Sequence, residues 1–110
     1  MSEKILDSHG WKFEAEAIIN DIKDHVNAVV ISEKIPSTDS CIFLNLVTIE
    51  DKNYCIQISA LGFKIVGLNF DETGLDSEEF YETPYALLYK ISPGFKTSFA
   101  NALYVKLEQI

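Results

Sequence analysis

The spacing of apolar and polar positions divides the chain into a helical beginning, a stranded middle and a helical end. Between residues 11 and 30, successive residues placed about 100° apart gather Trp11, Ala15, Ile18, Ile19, Ile22, Val26 and Val29 into a sector about 120° wide, which predicts an amphipathic helix. Glu14, Glu16, Asn20, Asp21, Lys23, Asp24 and Asn27 fall outside that sector, with Phe13 the one large apolar exception. From Val30 onward the β-branched content rises. Three runs read as strands, Cys41–Thr48, Tyr54–Ala60 and Phe63–Leu68, with Val29–Lys34 a weaker fourth. The breaks at Pro36–Ser40, Glu50–Asn53 and Gly62 are too short for crossovers, so the strands are expected to form an antiparallel meander.

Alternation within the strands identifies a buried face. Ile42, Leu44 and Leu46 form one apolar row and Tyr54, Ile56 and Ile58 another, while Cys55, Gln57 and Ser59 between them are polar or small. Helices are therefore expected on one face only. A hairpin centred on its turn puts Leu46 opposite Ile56 and Val47 opposite Cys55. Cys41 then lies about 20 Å from Cys55 at roughly 3.3 Å per residue, beyond the about 7 Å Cα reach of a disulfide. After an acidic loop over residues 69–80, Thr83-Pro84 and Ser92-Pro93 each set a capping residue before a first-turn proline, predicting helices over 84–91 and 93–108. The result is an α+β fold in a single domain over residues 11–110, behind a flexible tail over residues 1–10. It comprises an N-terminal helix, a four-stranded antiparallel meander and two C-terminal helices packed on one sheet face.

Composition narrows the classes of function. A chain of 110 residues, 47% hydrophobic with three Pro and five Gly, is a globule with one core rather than a disordered segment. Nine basic residues stand against seventeen acidic ones, a net charge of −8, and every base is a lysine. Bidentate arginine clamps are thereby excluded, and the summed field disfavours nucleic acid and anionic membrane as partners. No stretch approaches the roughly 18 apolar residues of a membrane span. Two cysteines without an Asn-x-Ser/Thr acceptor fit a reducing compartment, so a soluble, intracellular protein is expected.

The residues that could carry catalysis are poorly placed for it. A nucleophilic Cys41 or Cys55 needs a histidine base, yet the histidines are His9 in the tail and His25 on the first helix. Two Cys and two His show no close-paired zinc spacing. In the acidic loop Gly74 comes fourth from Asp71, where an EF-hand wants it sixth, and Gly62 and Gly67 make no phosphate-binding fingerprint. No catalytic residue, cofactor or metal is expected. What remains is the last helix, where Phe95, Phe99, Leu103 and Leu107 recur every four residues, with Ile110 beyond and Ala100 and Tyr104 widening the coverage. Spacing alone fits a helix that caps the sheet as well as one offered to a partner.

Several blocks resemble a known family. These are Glu14-Ala15-Glu16-Ala17-Ile18-Ile19-Asn20-Asp21, Asn53-Tyr54-Cys55-Ile56, Gly62-Phe63-Lys64-Ile65-Val66-Gly67, Tyr81-Glu82-Thr83, Ser92-Pro93, Phe99-Ala100-Asn101-Ala102-Leu103 and Lys106-Leu107-Glu108. Over roughly residues 12 to 108 the chain resembles the glycogen synthase kinase-3 beta interaction protein family, whose domain also occurs in clustered-mitochondria proteins. The resemblance implies a non-catalytic scaffold that binds and can inhibit that kinase through its C-terminal helix, affecting Wnt-pathway signalling from the cytoplasm and the nucleus. The positions that match the binding helix are Phe99, Leu103 and Leu107. The family also implies anchoring of cyclic-AMP-dependent kinase regulatory subunits through the first helix. There the sequence departs from the pattern, because Lys23-Asp24-His25 stands where apolar residues continue, and tight anchoring is not expected. The alternative function is an adaptor of the clustered-mitochondria type acting through an open sheet face with Lys64, Val66 and Phe70.

Overall fold

The computed structural model describes residues 8–108, with the side chains of residues 10–107. In chain order it contains α1 (Ser8–Ile22), a 3-10 turn (Lys23–His25), β1 (Ala28–Ile31), β2 (Cys41–Val47), β3 (Asn53–Ser59), β4 (Gly62–Gly67), α2 (Pro84–Ile91) and α3 (Pro93–Glu108). The four strands form one antiparallel sheet in sequence order, which is the expected α+β meander.

The first helix is shorter at its end than the spacing predicts. It stops at Ile22 rather than continuing to residue 30. Val26 and Val29 continue the helical period, yet Val29 also begins the β-branched run Val29-Val30-Ile31, which is stiff in a helix and well suited to a pleat. Pairing decides the contest, because Val29 lies opposite Leu46 and Ile31 opposite Leu44. The helix also starts earlier, at Ser8, inside the segment assigned to the tail. Residues 1–7 lie outside the described residues, and with them the rest of that assignment.

Trp11, Ala15, Ile18 and Ile22 of α1 pack over Ile42, Leu44, Leu46, Ile56 and Ile58 of the sheet. Leu87 and Leu88 of α2 and Phe95 of α3 complete the same core, so the helices share one face. The Trp11 indole N–H donates to the Asp39 carbonyl at 3.1 Å, tying the start of α1 to the loop before β2.

The β2–β3 register departs from expectation by two residues. Leu46 lies opposite Tyr54 and Leu44 opposite Ile56, so parity is kept and the apolar rows still share a face. The slip arises at the turn. Asn53 joins the strand opposite Val47, and Asp51, at φ 64°, folds the chain back while the Thr48 N–H donates to the Lys52 carbonyl. Cys55 consequently faces Asn45 rather than Val47. Cys41 faces Ser59, about 13 Å along the sheet at roughly 3.3 Å per residue, and both thiols are free.

The second face of the sheet is not open as alternation suggests. Phe43, Cys55 and Val66 form a separate buried cluster flanked by Ile35 and Cys41. Ile56 pairs with Ile65 and Cys55 with Gly67, so Val66 is the extra residue of a bulge. The segment after β4 folds over this cluster, and a Cβ at Gly67 would collide with the Glu72 carbonyl, so glycine permits the approach. Asp71 fastens the segment. Its carboxylate accepts from Ser32 Oγ at 2.5 Å and Asn45 Nδ2 at 2.8 Å, and its N–H donates to Asn45 Oδ1 at 2.9 Å. Of the residues assigned to an open face, Val66 is buried, Lys64 is half-buried with its ammonium over the Phe80 ring, and Phe70 is exposed.

The hydrogen bonds from Asn45 and Ser32 hold the Asp71 carboxyl below its ordinary 3.8, against the opposing effect of desolvation. A lowered folded-state pKa supplies stability above the unfolded value and loses it as pH falls through the folded one. Asp71→Asn is therefore expected to be less stable than the native chain at neutral pH, with the gap closing as pH falls below the ordinary 3.8 and through the lowered folded-state value, as read from urea midpoints across pH.

Candidate functional site

The start of α3 is strongly fixed. Ser92 is buried and its Oγ accepts from the Phe95 N–H at 3.0 Å, capping the helix ahead of Pro93. The Glu50 carboxylate accepts from the Gly94 N–H at 2.6 Å, placing negative charge at the positive end of the helix. A Cβ at Gly94 would stand 2.7 Å from that carboxylate oxygen, so a glycine lets it close. Desolvation pushes the Glu50 carboxyl up, but the hydrogen bonds from Gly94 and Ser92 outweigh it and leave the group below its ordinary value.

Phe95 follows, 0% exposed. Its ring stacks on Phe99 at 5.5 Å and meets Tyr89 edge-on at 5.4 Å, while Tyr85 lies 5.4 Å from Phe99. Phe99 is half-buried against the main core. Beyond it the situation reverses, and residues 100–107 are all exposed. Leu103 is 48%, Tyr104 63%, Val105 54% and Leu107 67% exposed.

Helix geometry explains the change. A residue every four positions drifts about 40° per step, so the stripe has turned about 120° between Phe95 and Leu107. The 16-residue helix is about 24 Å long, and exposure on all its sides shows that its second half projects from the domain. Of the three positions singled out by sequence, Phe99 is seated while Leu103 and Leu107 are free. Val105 was not found by periodicity, because a helix end without a buried side has no period to display. Residues 101–107 contain one lysine and no acid in a chain of net charge −8. This projecting apolar surface suits a hydrophobic groove.

The other candidates stay apart. Cys55 is fully buried on the second face, where desolvation pushes its thiol up against the hydrogen bonds from the Asp71 and Glu72 backbone, the reverse of an activated nucleophile. His25 lies on the helical side, in the 3-10 turn rather than on α1. Among the described residues, no three His, Cys, Asp or Glu gather as metal ligands, and no helix is long and apolar enough to cross a membrane. The outward positions of α1 are Lys12, Phe13, Glu14, Glu16, Ala17, Asn20 and Asp21, among which Phe13 is the one large apolar side chain.

The chain is thus a compact α+β domain with a firmly based, projecting apolar helix end. The chain belongs to the GSKIP domain family, which it matches over residues 11–110. It is 37% identical over 101 residues to the GSK3-beta interaction protein of Danio rerio, an overlap covering 90% of this chain and 75% of that one. It is 33% identical over 105 residues to the GSK3B-interacting protein of Homo sapiens, covering 94% and 76%. To the Protein GSKIP homolog of Drosophila melanogaster it is 29% identical over 83 residues, covering 73% and 70%. The vertebrate relatives are interaction proteins of a kinase, not enzymes.

The division of α3 into a seated and a free half predicts opposite responses to truncation. Phe95→Ala is expected to cost about 3 to 5 kcal/mol, the usual range for an aromatic removed from a core. Leu107→Ala should change stability by no more than about 0.5 kcal/mol. Chemical denaturation of the two variants checks the division.

Proposed function

We propose that this chain is a non-catalytic adaptor that binds GSK3-beta by laying the exposed half of α3 into an apolar groove of the kinase. The carrying observation is the exposure of Leu103, Tyr104, Val105 and Leu107 on a capped, anchored helix, in a chain whose relatives are named for that interaction. In this reading Leu103 and Leu107 enter the groove and Phe99 supports them from the domain side. In this reading the adaptor also inhibits the kinase, which connects it to Wnt-pathway signalling in the cytoplasm and nucleus. The burial of Val66 beneath the Asp71 loop favours α3 over the second sheet face as the docking surface.

Leu103→Ala tests the reading. Leu103 is expected to be desolvated on binding, so affinity for GSK3-beta should fall at least about tenfold, or 1.4 kcal/mol, with little change in thermal stability. A destabilised variant that still binds the kinase at full strength when folded would defeat it. Anchoring of cyclic-AMP-dependent kinase is not part of the proposal, since the apolar side of α1 is buried. Titration with its regulatory subunits should show binding weaker than about 1 μM.

A further inference from the structure

A projecting helix can dock rigidly only if its direction is fixed, and the cap at Ser92 with the Glu50 contact holds it at one end only. A second hold occurs one turn further along. His25 Nδ1 and Ser98 Oγ share a hydrogen bond of 2.8 Å. Among the described residues, no other side-chain hydrogen bond joins α3 beyond its first turn to another element. The His25 ring also stands edge-on to Phe95, at 5.7 Å and 87°, and to Phe99, at 5.5 Å and 76°. The two phenyl rings are therefore held between the 3-10 turn on one side and Tyr85 and Tyr89 of α2 on the other.

We infer that His25 is a positioning residue for partner binding, which, through Ser98 and the Phe95–Phe99 pair, sets the direction in which the free half of α3 projects. This inference rests on the reading of α3 as the docking helix. His25 itself lies at the base of the helix, beside Ser98 and away from Leu103 and Leu107. Its influence on binding is thus one of angle. The Lys23-Asp24-His25 segment that ends the first helix is, on this view, the seat of the last one.

The test uses the full chain and two readouts. Residual dipolar couplings of the ¹⁵N-labelled protein report the orientation of the Asn101–Leu107 amides relative to the sheet, and titration with GSK3-beta reports affinity. Ser98→Ala and His25→Leu each remove the hydrogen bond. Both should reduce the couplings of Asn101–Leu107 while leaving those of the sheet unchanged, and weaken binding by about threefold to tenfold. The double variant should be no weaker than the worse single one, because both changes delete one interaction. His25→Asn carries an amide where Nδ1 stood, and is expected to restore couplings and affinity to within about twofold. Unchanged couplings in Ser98→Ala would overturn the inference, as would altered couplings with undiminished affinity in a kinase complex that Leu103→Ala weakens. If Leu103→Ala leaves kinase binding intact, it is the docking reading that fails, and the couplings still decide whether His25 sets the helix direction.

Discussion

What α3 leaves exposed is governed by the burial of Phe95. The apolar side of the sheet is already covered by Trp11, Ala15, Ile18 and Ile22 from α1 and by Leu87 and Leu88 from α2. Room remains at one margin, where Phe95 enters completely and Phe99 half-way. The rest of the helix has no sheet beneath it. Its exposed leucines are thus the consequence of a filled core and a helix longer than the site that holds it. Interiors pack to near crystalline density, so Leu103 and Leu107 could not be drawn in without displacing side chains already there.

The opposite face reaches the same condition by different means. Loops ordinarily leave a sheet face wet, but here the segment after β4 is held down by Asp71 between Ser32 and Asn45. The buried Asn45 amide finds its partners within that arrangement, so the cluster of Phe43, Cys55 and Val66 closes without an unsatisfied polar side chain among the described residues. With both faces covered, apolar residues such as Phe13 on α1 and Leu61 at the β3–β4 turn remain exposed, an ordinary feature of protein surfaces. The end of α3 differs in gathering four large ones within two turns.

The parts of this structure legible in the sequence are those governed by local chemistry. Thr83-Pro84 and Ser92-Pro93 mark both C-terminal helices because capping depends on residues three apart; the Thr83 hydroxyl accepts from the Ala86 N–H at 3.0 Å, and Ser92 repeats the pattern. Strand locations follow from the β-branched runs. The end of α1 was hidden because Val26 and Val29, three apart, continue the helical spacing, and only the pairing of Val29 with Leu46 shows that the chain has become extended. The hairpin register was hidden because Asp51 adopts a left-handed conformation that no spacing announces. In the site, Phe99, Leu103 and Leu107 were visible as a stripe. The boundary between seat and free end was not, since the four-residue recurrence runs through it unbroken. The His25–Ser98 bond links residues 73 apart and leaves no local trace.

An unsupported helix end must also remain helical to be useful. Isolated helices shorter than about 12 to 15 residues are marginal in water because the first turn is costly to nucleate. In α3 that first turn is supplied by the Ser92 cap, the Glu50 contact and the burial of Phe95, so residues 100–107 need only propagate a helix that already exists. Ala100, Ala102 and Leu103 are favourable residues for propagation. On the proposed reading, a partner meets a surface that is ordered before contact, and binding avoids much of the conformational entropy cost of folding a disordered segment. On that reading stability and affinity are separated along one helix. The residues up to Phe99 support both, whereas the residues beyond it can serve recognition with little consequence for the fold.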